Sequence, residues 1–94
     1  MIMIQTEIDE TEQLSVFKRQ FDQYLIRNQL SKCKLDKLEF ENNTIEFDKN
    51  RIVKRPGYEI LLEGAEEGYF VCSNPLELNI SLEGVMYNVS FKIP

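Results

Sequence analysis

The sequence predicts an α+β fold: an N-terminal strand, one long amphipathic helix, and an antiparallel sheet of about five or six strands that carries the helix. Three observations predict it. No Gly or Pro occurs between residues 9 and 55, and apolar residues at helical spacing fill the first half of that stretch. From Leu38 onward, apolar and polar residues alternate in short runs separated by Asn, Gly and Pro. With 94 residues, 43% hydrophobic and 29% charged, the chain suits a single folded domain over 1–94 and is too apolar for disorder.

Ile2, Ile4, Thr6 and Ile8 alternate with Met3, Gln5 and Glu7, which predicts a strand over 2–8. Asp9 then has the position of an N-cap, with Glu12 three residues later as in a capping box. From Glu10 to about Ser31, Leu14, Phe17, Phe21, Tyr24 and Leu25 share one face. A helix of that span is about 33 Å long and needs several strands to cover it.

Leu38–Phe40 and Ile45–Phe47 flank Glu41-Asn42-Asn43-Thr44, a predicted hairpin turn, since Asn tolerates positive φ. A short strand is expected over 51–54, another over 58–62 stopped by Gly64, and a third over 68–72 stopped by Asn74-Pro75. The last hairpin is the clearest: Leu76, Leu78, Ile80 and Leu82, then Val85, Tyr87, Val89, Phe91 and Ile93, alternate with polar neighbours around Glu83-Gly84. The order resembles the general layout of cystatin-like and hotdog-like folds. It lacks the Gln-x-Val-x-Gly loop of the former and a thioesterase-like His site.

Composition narrows the function. There is no His, so Ser-His and Cys-His pairs are excluded. Two Cys without His cannot make the usual four-ligand zinc set. The four glycines stand isolated at 57, 64, 68 and 84, so no phosphate loop exists. Asp48-Lys49-Asn50 opens like a calcium loop, but Ile52 and Lys54 break the pattern. No cofactor or metal site is expected. The acids Glu39, Glu41 and Glu46 fall where a wet sheet face is expected. No apolar run is long enough to span a bilayer. The first seven residues read neither as a signal nor as a transit peptide. Cys33 and Cys72 are therefore expected as free thiols in a reducing, cytoplasmic setting. One Ala against nine Ile and seven Asn suits a low-GC bacterial or phage genome.

Three surfaces are candidates for binding. Lys49, Arg51, Lys54 and Arg55 concentrate four cations in seven residues. They read either as a docking patch or as a charged edge strand that resists aggregation. Glu63, Glu66 and Glu67 sit in an expected acidic loop loosened by Gly64 and Gly68. Val16, Ile26 and Leu30 lie away from the aromatic helix face and could meet a partner or a second copy. A net charge of −5 disfavours nucleic acid and anionic membrane. The expected function is a non-enzymatic protein-interaction module, of the kind small phage or mobile-element inhibitors of host factors provide. A self-assembling accessory subunit, dimerising through the helix, is the alternative. A weak nucleic-acid binder using 49–55 is the third.

Overall fold

The computed structural model describes residues 10–94, with side chains from Glu12 onward. The strand expected over 2–8 and the Asp9 cap lie outside the described residues.

The fold is α+β; the described residues form one helix followed by eight strands. Helix α1 (Glu10–Arg27) buries Leu14, Phe17, Phe21 and Leu25, the face anticipated from their spacing. It stops short of Ser31. The Asn28 backbone N–H and its Nδ2 both donate to the Tyr24 carbonyl, at 2.9 and 3.0 Å, and close the last turn. Residues 30–33 then find partners in a sheet, which outweighs their helical spacing. Leu30 is thus not on the helix.

Strands β1 (Leu30–Cys33), β2 (Lys37–Phe40), β3 (Thr44–Asp48), β4 (Arg51–Arg55) and β5 (Glu59–Glu63) form one antiparallel sheet in sequence order. Strands β6 (Ala65–Val71), β7 (Leu76–Leu82) and β8 (Val85–Phe91) form a second. The expected single sheet is therefore two. Gly64 is the reason: it alone separates β5 from β6, and its φ of +77° turns the chain out of the first ladder. The expected acidic loop over 63–68 is corrected with it. Glu63 ends β5, and Glu66 and Glu67 lie within β6.

The two sheets and α1 enclose one core. Leu38, Ile45, Ile52 and Leu62 of the first sheet join Phe70, the whole row Leu76, Leu78, Ile80 and Leu82, and Phe91 of the second. Phe91 stands edge-on to both Phe17 and Phe21, with ring centres 6.2 and 4.8 Å away, so the helix seals this end. Where the sheets meet, the Phe47 ring lies on Gly68. A Cβ there would come within 2.6 Å of the ring, so only Gly allows this approach. Turns of the first sheet cover the free edge of β6: the Phe70 and Ala65 N–H groups donate to the carbonyls of Leu35 and Asn50.

Cys33 and Cys72 form a disulfide, with Cα atoms 5.8 Å apart. The free-thiol expectation is corrected. Cys33 ends β1 and Cys72 follows β6, so the bond ties the outermost strand of one sheet to the end of a strand in the other. Proximity across 39 residues of chain could not be read from spacing.

Candidate functional site

Strand alternation divides the basic run between two faces. Arg51 and Arg55 point to the outer face of the first sheet, whereas Lys54, next to the core residue Ile52, points to the helix side. The run is also not at an edge, because β4 lies between β3 and β5.

On the outer face the arginines are built into an ion-pair lattice. Arg55 donates to Glu46 at 2.9 Å and to Asp48 at 3.1 Å, and its guanidinium stacks 4.9 Å over the Tyr58 ring. Arg51 donates to Glu63 at 3.0 Å and to the Tyr58 hydroxyl at 3.4 Å. Hydrogen bonds to Tyr58 and then to Glu63 raise its pKa above the ordinary arginine value, so it stays charged throughout the usable pH range. Val53 sits between the two arginines on the same face and is wholly buried, although it is outside the main core. Glu46 and Ile60 stand directly opposite Val53, while Arg51 and Arg55 flank it along the strand and meet at Tyr58, so an arginine–tyrosine roof beside these two neighbours is the cover its face offers. Lys49, in the β3–β4 turn, is exposed and has no ion pair among the described residues.

The acidic residues are also engaged. Glu63 pairs with Arg51, and its backbone N–H donates to the Gln13 side chain at 2.9 Å. Glu66 accepts from the Gly84 N–H at 2.9 Å and from Ser81 at 3.2 Å, which pins the β7–β8 turn to β6. Glu67 is exposed.

The three apolar candidates separate. Val16 and Leu30 are half-buried, and Leu30 packs against the core from β1. Ile26 is 71% exposed, the most open large apolar side chain among the described residues. It stands on a ridge between two shallow depressions. Leu30, Ile93 and Pro94 line one together with the polar Asn28 and Gln29; Pro75, Ser90 and Lys92 line the other together with Asp22. Arg27 and Lys92 border the ridge without ion pairs among the described residues, while Lys18 is paired with Asp22 at 2.7 Å. Pro75 and Lys92 escaped the sequence reading, because nothing in their spacing places the end of β8 beside the end of α1. Ile93 was legible only as the last step of the β8 alternation.

On the opposite flank of the helix lies a cleft of about 230 Å³, lined by Phe17, Phe21, Tyr24, Ile45 and Leu61, with Lys54 and Glu59 at its mouth. No helix among the described residues is long and apolar enough to cross a membrane. No family model, curated protein or solved structure matches the chain.

Proposed function

We propose that the protein is a non-catalytic protein-binding module whose contact surface is the apolar ridge at Ile26. The exposure of Ile26 carries this reading. A β-branched apolar side chain, open on a ridge beside Leu30, Ile93, Pro94 and Pro75 and bordered by polar and cationic groups, fits the anchor of an interface better than a solvated helix face. Arg27 and Lys92 favour a partner whose complementary apolar pocket has an acidic rim. The basic run supports less than its composition promised. Arg51 and Arg55 are committed to Glu63, Glu46 and Asp48, and Lys54 to Glu59. The same commitments weigh against nucleic acid. An inhibitor of a host factor is the narrower role, supported by size and composition alone. The cytoplasmic expectation rested on reading the first seven residues as neither a signal nor a transit peptide, and the free-thiol expectation followed from it. The disulfide favours an oxidising compartment, and the proposal adopts it.

The test is affinity capture from the source cell with wild-type bait beside Ile26→Asp and Lys49→Glu baits. Ile26→Asp should lose the partner with the fold intact by circular dichroism, and Lys49→Glu should keep it. Retention by Ile26→Asp would sink the ridge reading. Sedimentation of the wild type above 11.1 kDa, reversed by Ile26→Asp, would convert the module into a self-assembling subunit.

A further inference from the structure

The cleft between α1 and the β4–β5 ladder is assembled by an irregularity in the sheet. The register passes from Ile52↔Leu62 to Val53↔Ile60, so Leu61 is an extra residue in β5. Such a bulge re-aims a side chain that strict alternation would send elsewhere. Here Leu61 lines the cleft while the next residue, Leu62, remains in the core. Two successive leucines therefore serve the helix side.

Lys54 is the second anomaly. It is a cation on the sheet face that carries Ile45, Ile52 and Leu62, and its cross-strand partner on that face is Glu59. Its Nζ lies 5.4 Å from the centre of the Tyr24 ring and 3.3 Å from a Glu59 carboxylate oxygen. Glu59 is well exposed, its side chain retaining 62% of its accessible surface, so this is a surface pair of small net worth that an incoming anion can replace. Tyr24 is held from the far side, since its hydroxyl donates to the Asn43 side-chain oxygen. The ring is thus a fixed wall beneath the ammonium.

We propose that this cleft binds a small monocarboxylate bearing one ring or a short alkyl chain. The carboxylate takes the place of Glu59 on Lys54, and the apolar part enters among Phe17, Phe21 and Leu61. The volume is below that of ordinary cofactor sites, which restricts the ligand to this size. A dianion would meet Glu59 beside a single cation, so one negative charge is the matching number. The site is on a different side of α1 from the Ile26 ridge and is independent of the partner reading.

The experiment is a titration of the ¹⁵N-labelled full chain with benzoate and hexanoate, using benzamide and hexanamide as uncharged isosteres. The carboxylates should give saturable shifts at the amides of Gln20, Tyr24, Lys54 and Leu61. The amides should bind about tenfold more weakly, the loss expected for one charge-assisted hydrogen bond. Lys54→Met should reduce carboxylate affinity to the amide level. Glu59→Gln, which removes the competing carboxylate, should raise it several-fold. The proposal is overturned by absence of saturable shifts at millimolar ligand, by equal affinity for acid and amide, or by unchanged carboxylate affinity in Lys54→Met. A Lys54→Met chain that fails to fold leaves Glu59→Gln to decide, with tightening in favour and no change against.

Discussion

The β3–β4 and β7–β8 hairpins turn in the same way and spend their outer faces differently. Each is joined by two residues of positive φ: Lys49 and Asn50 at 50° and 62°, Glu83 and Gly84 at 50° and 79°. This is the turn whose twist suits antiparallel strands. On the outer face of β7–β8, Asn79 accepts from Asn88 at 3.0 Å, and Glu77 accepts from the same amide. That face is half-exposed and wet. On the outer face of β3–β4, arginines and carboxylates interlock above the buried Val53. A strand can thus carry most of a dense basic run and still present no cationic patch. Charge density along a sequence says little about charge density on a surface until the faces are separated and the neighbouring strands are known.

One covalent link joins the two sheets to which these hairpins belong, and its removal should have the largest effect. The Cys33–Cys72 disulfide closes a loop of 39 residues that contains all of β2 to β6. Constraint of the unfolded chain over such a loop stabilises by roughly 3–4 kcal/mol. The double variant Cys33→Ser, Cys72→Ser should lower the urea midpoint accordingly. A shift equivalent to less than about 1 kcal/mol would mean that the non-covalent junction at Leu35 and Phe70 already holds the sheets together.

The next effect separates the two outer faces. Val53→Ala should destabilise by about 2 kcal/mol, since a wholly buried side chain loses two methyl groups beneath a fixed roof. Asn79→Ala, at an outer-face position of β7, should change stability by less than about 0.5 kcal/mol. Equal losses in chemical denaturation would show that the arginine–tyrosine roof opens readily and that Val53 is not a second, small core.

The two hairpins also differ in how much of them was legible. In β7–β8, polarity and position agree along Leu76–Leu82 and at Val89 and Phe91, so the strands, the turn and most of the core face followed from the period-two pattern; Val85, beside the turn, is exposed, and β8 ends at Phe91 before Ile93. In β4, alternation distinguishes Ile52 from Val53, yet both are buried, one on the helix side and one on the outer face between Glu46 and Ile60 and beside the paired arginines. A pattern that assumes one wet face cannot represent that. The helix end was misplaced for a related reason: Leu30 satisfies both a helical and a strand spacing, and β2 decided between them. The split into two sheets depended on one Gly, whose sequence signal is that of any turn. Of the candidate surface, Ile26 was legible because it breaks the polar face of α1. Its neighbours Pro75, Ile93 and Lys92 come from the other end of the chain. The cleft depends on a register shift that leaves no mark in the residue types of β5.

The last effect is smaller than the losses at the disulfide and at Val53 and should have the opposite sign, and it tests the feature the hairpins share. Positive φ at both turn positions suits Asn-Gly, whereas Lys49 has a side chain with no means of relieving that conformation. Lys49→Asn with Asn50→Gly should therefore stabilise by about 0.5–1 kcal/mol. The Asn50 carbonyl that accepts from Ala65 is backbone and survives the exchange. The matching change in the other turn, Glu83→Asn, should gain less. Glu83 is engaged by a neighbouring group, and Glu66 already holds the Gly84 N–H. Thermal unfolding of the wild type and the two variants at fixed pH and salt measures the difference. A loss of stability in the doubly substituted chain would show that the β3–β4 turn does not have the geometry of its counterpart. A gain, with partner capture unchanged, would show in addition that the most exposed cation of the basic run serves neither the fold nor the interface.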